Sequence, residues 1–125
     1  MVQIGTNLKN IDNSGVKLVK CIGALAGPRQ RHASFGSIIT VSIQKLRPKR
    51  RLFLKVKKGQ VMQALIIRTK IPSNNSHNFS FFENSVVLLN NQKKLIGTRI
   101  FGCLPKNLRY SKFLRLTFLA KGLVN

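Results

Sequence analysis

Residues 39–44 read Ile-Thr-Val-Ser-Ile-Gln, so that Ile39, Val41 and Ile43 alternate with Thr40, Ser42 and Gln44. A period of two places the three apolar side chains on one face of an extended chain and the polar ones on the other, as in a strand with one buried wall. Val2, Ile4 and Leu8, with Gln3, Asn7 and Lys9 between them, repeat the pattern near the N-terminus. Residues 16–26, 61–70 and 79–89 are also rich in β-branched or apolar residues and are bounded by Gly, Pro, Asn or Ser. Five short strands in a chain of 125 residues point to closure into a small barrel rather than a sandwich, because closure removes the exposed edges of an open sheet. After Pro105 the spacing changes: Leu108, Lys112, Leu116 and Leu119 fall near helical positions, with Pro105 acceptable in a first turn. The expected fold is therefore mainly β, a small closed five-stranded β-barrel with one or two short C-terminal helices. One domain spans 1–125, with the barrel and its basic loops in 1–103 and the helical segment in 104–125. Joints are expected at Asn13-Ser14-Gly15, Gly27-Pro28, Gly36, Pro48, Gly59 and Pro72.

Charge narrows the function. Lys and Arg number 23 against two acids, Asp12 and Glu83, a formal net charge of +21. A compact free domain of that charge repels itself, so a polyanionic partner is expected. Nucleic acid is the commonest, because each neutralised phosphate releases condensed counterions. No apolar run approaches the ~18 residues of a membrane helix, and no basic amphipathic helix stands out, so no membrane partner is expected. The N-terminus, MVQIGTNLKN, has the plan of neither a signal peptide nor a transit peptide. The expectation is a protein made where it works or already processed. Eleven Asn, fourteen Lys, eleven Ile and eight Phe match the bias of an AT-rich organellar genome.

The basic residues cluster. Segment 45–58, KLRPKRRLFLKVKK, carries eight of them: Lys45, Arg47, Lys49, Arg50, Arg51, Lys55, Lys57 and Lys58. It reads as an RNA-facing arm in which Pro48 stiffens the loop, Arg forks grip phosphate, and Leu52-Phe53-Leu54 pins the arm or meets a ribose or base. Arg29 and Arg31, beside His32, form a second group in a loop between strands. Lys93, Lys94 and Arg99, with Arg109, Lys112 and Arg115, form a third.

Enzymatic readings fare poorly. General acid-base chemistry draws on carboxylates, and Asp12 sits in a turn-like DNSG where it can bond its own backbone, while Glu83 stands alone. His32 and His77 fall in separate loops, so a ribonuclease-like pair has no support from spacing. Cys21 and Cys103 lie far apart with neither histidine near them, which builds no metal site; Cys21 falls in a strand and reads as a buried structural thiol. The glycines form no nucleotide-binding motif. No cofactor is expected. Tyr110 and the phenylalanines read as mostly core, with no strand offering two or three aromatics ready to stack bases, so recognition should rest on RNA shape and backbone.

Taken in order, DNSGVK (12–17), CI (21–22), RQRHASFGSII (29–39), VKKGQV (56–61), ALIIRTK (64–70), VVLLNN (86–91) and GTRIFG (97–102) closely resemble the universal large-subunit ribosomal protein fourteen family, almost end to end. The resemblance implies a five-stranded barrel with a C-terminal helical segment. It also implies an rRNA-binding structural protein on the subunit-joining face, bridging to small-subunit rRNA across the interface and touching ribosomal protein three and, in bacteria, protein nineteen. Some members also receive a ribosome silencing factor. RNA contact carries over onto Arg29, Arg31, Arg47, Lys57, Lys58, Arg68, Lys70, Arg99, Arg109 and Lys112, whereas Thr98 and Phe101 read as shaping the surface. The chain departs from the family at Ser37 and Gln60, where acids are common, at Cys103, where proline is common, and at the uncharged IPSNNSHN (71–78), so contacts made by that hairpin tip do not carry over.

The combined expectation is a non-enzymatic constituent of the large ribosomal subunit in a mitochondrion, with a plastid or the bacterial cytoplasm as alternatives. The functional alternative is a free-standing small-barrel single-stranded RNA-binding protein. Replacing Arg47, Lys49, Arg50 and Arg51 with Ala should flatten the salt dependence of rRNA-fragment binding by up to ~0.7–0.9 log units per lost phosphate contact. An unchanged slope, measured by filter binding across a salt series, would show that the arm touches no phosphate.

Overall fold

A computed structural model describes residues 1–24, 31–48, 56–71, 80–110 and 113–124. The alternating stretch read first forms the centre of β5 (Ile38–Leu46), paired antiparallel with β3 (Val16–Ala24) on one side and β6 (Val61–Arg68) on the other. β6 pairs with β7 (Ser85–Leu89), and β2 (Asn7–Asn10) pairs with β3. Parallel pairing of Lys9 with Ser85 and Asn10 with Val86 joins β2 to β7 and closes a five-stranded barrel, β2-β3-β5-β6-β7. The expected architecture is thus present.

The barrel is filled as the period of two requires. Leu8, Val16, Val19, Ile39, Val41, Ile43, Ala64, Ile66, Val86 and Leu88 point inward and form one buried cluster. Every residue of β7 is buried, as are Ala64 to Ile67 of β6. Their outward side chains, Leu65, Ile67, Val87 and Leu89, meet Ile100, Leu104, Leu108 and Leu116 in a second core. That double burial is why these segments are continuous apolar runs instead of alternating ones.

The second core is covered by β8 (Ile100–Pro105), a 3₁₀ turn (Lys106–Tyr110), α1 (Leu114–Leu119) and β9 (Ala120–Val124). A six-residue helix does not stand alone in water; α1 holds because Leu116 is fully buried against the barrel wall. The segment 104–125, expected to be helical, also contains β9, which runs parallel to β8 with α1 as the crossover. Its sequence, AKGLV, is too short and mixed to signal a strand by period.

Three further expectations are corrected. The N-terminal alternation does not make one strand: β1 (Val2–Gln3) ends before Gly5, which adopts φ +89°, and Ile4 faces solvent. β1 pairs instead with β4 (His32–Ala33). Among the described residues of segment 79–89 the strand starts at Ser85; Phe81 to Asn84 form the approach to it, tied by Phe81 N–H to the Thr69 carbonyl and Lys70 N–H to Asn84 Oδ1. Among the described phenylalanines none is buried: Phe82, Phe101 and Phe118 are exposed, and Phe35, Phe81 and Phe113 are partly covered. A five-stranded lumen is narrow, and aliphatic Ile, Val and Leu fill it.

The chain's most constrained acid lies at the barrel seam. Along β2, Lys9 N–H bonds the Asn84 carbonyl and Ile11 N–H the Val86 carbonyl. Where the next rung would fall, Leu88 N–H donates to Asp12 Oδ2 at 3.1 Å. Oδ1 accepts from Ser14 N–H (2.9 Å), from the Ser14 hydroxyl and from the Asn10 amide (2.6 Å). Asp12 therefore does bond its own turn, as DNSG suggested, and it also completes the barrel. Asp12→Ala leaves the Leu88 N–H buried and unpaired, at about 1–3 kcal/mol per orphaned group, and should lower stability by about 2–4 kcal/mol in urea unfolding. A loss below about 0.5 kcal/mol, the level of an ordinary surface change, would contradict the seam role.

Candidate nucleic-acid interface

The barrel presents its cations in three hollows and on the loops around them. β3 sets Lys17 on its outer face opposite the buried Val16, and Lys45 leaves β5 on the same side. The turn Lys57–Gln60 completes this site. It is drawn tight by Gln60 N–H to the Lys57 carbonyl, by Lys57 N–H to Gln60 Oε1, and by Gly59, whose φ of +82° lets its N–H reach the Ile43 carbonyl. Lys17, Lys45 and Lys58 consequently surround a hollow of about 440 Å³ with Gln44, Leu46 and Pro48. Three ammonium groups around one concavity form a positive focus for phosphate. Lys17 was not among the expected contacts; its place in the alternation Val16-Lys17-Leu18-Val19-Lys20 marks it as outward, but only the neighbouring strand and turn gather it with the other two.

A second hollow, of about 690 Å³, lies between the loop after β7 and α1. Lys93, Lys94 and Arg115 rim it, over a floor that includes Leu95, Leu116 and Leu119. The loop is set by Asn90 N–H to the Lys94 carbonyl and by Lys93 in a left-handed conformation, φ 58°. Arg99 is exposed nearby in sequence, in a segment held by Asn13: its Oδ1 accepts from Thr98 N–H (2.7 Å) and Arg99 N–H (3.3 Å), and its amide donates to the Thr98 hydroxyl. Gly97 meets Asp12 so closely that an added Cβ would lie 2.7 Å from the Asp12 Cβ. GTRIFG and DNSG are thus two halves of one interlock, and Thr98 shapes the surface through it.

The third hollow, about 350 Å³, is bounded by Lys9, Asn10, Ile11, Arg47, Arg68, Glu83, Phe101 and Gly102. Two of its arginines are engaged. Arg47 stands over the Phe101 ring, 5.4 Å from its centroid, and bonds the Asn10 carbonyl at 3.4 Å. Arg68 was expected to face RNA; instead its side chain is only 12% exposed, donating from Nε to the Cys103 carbonyl and from Nη2 to the Phe101 carbonyl, both at 2.9 Å. It also covers the Phe81 ring at 5.7 Å. Gly102, at φ +87°, leaves the room: a Cβ there would collide with the guanidinium. Arg68 is a tie between β6 and β8. Glu83 does not stand alone either, since Oε2 pairs with Lys9 Nζ at 2.9 Å and Oε1 lies 3.9 Å from Arg68.

Of the other expected contacts, Arg31, Lys57, Lys70 and Arg109 are exposed. Arg29, Lys49, Arg50, Arg51, Lys55 and Lys112 lie outside the described residues, as do His77 and the tip 72–79. His32 is exposed on β4. Among the described residues no group of three His, Cys, Asp or Glu could hold a metal ion, and no helix is long and apolar enough to cross a membrane. Cys21 is buried in the barrel wall, and burial pushes its thiol pKa above the ordinary value, which keeps it protonated and unreactive at neutral pH. Cys103 is exposed.

With this geometry in place, comparison with known families is informative: the family described as Ribosomal protein L14p/L23e matches residues 1–124. The match spans the seam, all three hollows and the C-terminal layer.

Arg68→Ala removes two charge-assisted hydrogen bonds to carbonyls, each worth about 1.5–3 kcal/mol, and should cost about 2–4 kcal/mol in chemical denaturation. Lys57→Ala, at an exposed turn, should stay within about 0.5 kcal/mol of the unaltered protein. Equal effects of the two changes would show that Arg68 is not a structural tie.

Proposed function

This chain belongs to the ribosomal protein L14p/L23e family, and from that premise we propose that it scaffolds the large ribosomal subunit by clamping rRNA phosphates with the lysine and arginine groups around its barrel. Family membership implies a structural role in the large subunit and association with rRNA and other ribosomal proteins. The observation that carries the finer reading is the surface charge: of the two acids, Asp12 is fully buried at the seam, so Glu83 alone opposes 23 cationic residues. A polyanion relieves the self-repulsion of such a surface.

The barrel supplies rigidity and the loops supply contact. Lys17, Lys45 and Lys58 form one phosphate-gripping locus, and Lys93, Lys94, Arg99 and Arg115 another. Part of this surface faces the small subunit and its rRNA, with ribosomal protein three and a protein-nineteen equivalent as neighbours and a ribosome silencing factor as a further partner. No reaction is catalysed. The enrichment in Asn, Lys, Ile and Phe favours a mitochondrial ribosome.

Sedimentation of a native lysate through a sucrose gradient at moderate salt, with the chain followed by mass spectrometry, tests the reading. The chain should track the large-subunit and monosome fractions and resist a modest salt wash. Residence at the top of the gradient with free or messenger RNA would replace this reading with the single-stranded RNA-binding one.

A further inference from the structure

The third hollow is chemically unlike the other two. It holds the one acid that reaches the surface, Glu83, together with the Arg47 guanidinium set over the Phe101 ring. A carboxylate on a phosphate-binding face repels the backbone it adjoins, which gives a purely electrostatic clamp no use for it. A carboxylate does, however, accept hydrogen bonds from the N–H groups of a base. We propose that this cleft receives a single unstacked nucleobase of the RNA, and that it prefers guanine. The inference rests on the RNA-binding role proposed above.

Three features make the fit. Phe101 is 42% exposed and carries the Arg47 guanidinium over its ring, so a base entering the cleft extends an existing planar stack; unpaired RNA bases are held on aromatic rings and guanidinium planes in this way. Glu83 Oε2 accepts from Lys9 Nζ at 2.9 Å, while Oε1 lies 3.9 Å from Arg68 and beyond hydrogen-bond reach. Both side chains remain open to solvent, at 55% for Lys9 and 38% for Glu83. The Watson–Crick edge of guanine presents an acceptor, O6, followed by two donors, N1–H and N2–H. Lys9 and Glu83 offer the complement in the same sequence: an ammonium donor beside two carboxylate acceptors. In the same register uracil, with O4, N3–H and O2, meets two of these positions, whereas adenine and cytosine each lead with a donor against the ammonium and meet two at most when turned over. Arg68, anchored to the Phe101 and Cys103 carbonyls, keeps the wall between the ring and the carboxylate in place.

Specificity of this kind was not expected from the sequence, where Phe101 read as shaping the surface and the other aromatics as mostly core. Phe101 falls in GTRIFG, Arg47 at the start of the basic arm and Glu83 before β7, and only closure of the barrel against β8 brings them to one cleft.

The test uses the full chain and four fluorescently labelled heptanucleotides: a uridine heptamer and its variants with guanosine, adenosine or cytidine at the centre, with a large-subunit rRNA transcript alongside. Fluorescence anisotropy should show the guanosine heptamer bound on the order of tenfold more tightly than the uridine one, the discrimination of one well-placed paired contact. Glu83→Gln should abolish the preference, bringing the affinities of the four heptamers together. Lys9→Met, at a more exposed position, should reduce it and serves if the first variant does not fold. If the rRNA binds but the unaltered protein treats all four heptamers alike, the base-reading cleft is overturned and the RNA-binding role stands. If neither the rRNA nor any heptamer binds, both fall.

Discussion

A single buried carboxylate holds the molecule closed. The parallel pairing of β2 with β7 is short, and its ladder runs out at the point where Asp12 takes the Leu88 N–H in place of a backbone carbonyl. The other oxygen of the same group shapes the Asn10–Ser14 turn, and the turn's next residue, Asn13, carries the loop that leads into β8. The end of the barrel seam and the approach to β8 are therefore joined through one side chain and its neighbour. Burying an acid is costly unless its lone pairs are met; here four donors meet them, and the close approach of Gly97 leaves no space for water or a larger residue.

The cations divide into two kinds. Lys17, Lys45, Lys58, Lys93 and Lys94 stand outward on rigid strands and tight turns, with their charge available to a partner. Arg68 and Arg47 turn toward the protein, spending their planar forks on carbonyls and phenylalanine rings. Side-chain chemistry suits these two arginines to that task, while Arg31, Arg99, Arg109 and Arg115 are exposed as the lysines are. A guanidinium is weakly hydrated and matches fixed carbonyl pairs, whereas an ammonium on a flexible stem loses more when desolvated. A basic surface in this protein is thus built on a frame that is itself partly held by arginine.

Read along the chain, period-two alternation was enough for β5, and β-branched or apolar runs bounded by turn residues were enough for β3 and β6, because each carries apolar side chains that need a core. The polyanion partner was equally legible, since net charge does not depend on the fold. The extent of the strand before Leu89 was not, because Phe81 and Phe82 have strand-like composition but are withheld from pairing by contacts with Thr69 and Asn84. Nor was the place of the described phenylalanines: hydrophobicity puts them inside, while the bore of a five-stranded barrel leaves them at its margins.

What the sequence determined by itself was the class of fold, the sign of the partner and the joints at Gly15, Gly36 and Gly59, all of which follow from local pattern and composition. What only the tertiary structure decided was which charges meet. Lys17 with Lys45 and Lys58, Lys9 with Glu83, Arg68 with the carbonyls of β8, and Asp12 with Leu88 join residues distant in the chain. The alternation that places a side chain on the outer face is blind to the neighbour that closure of the barrel sets beside it.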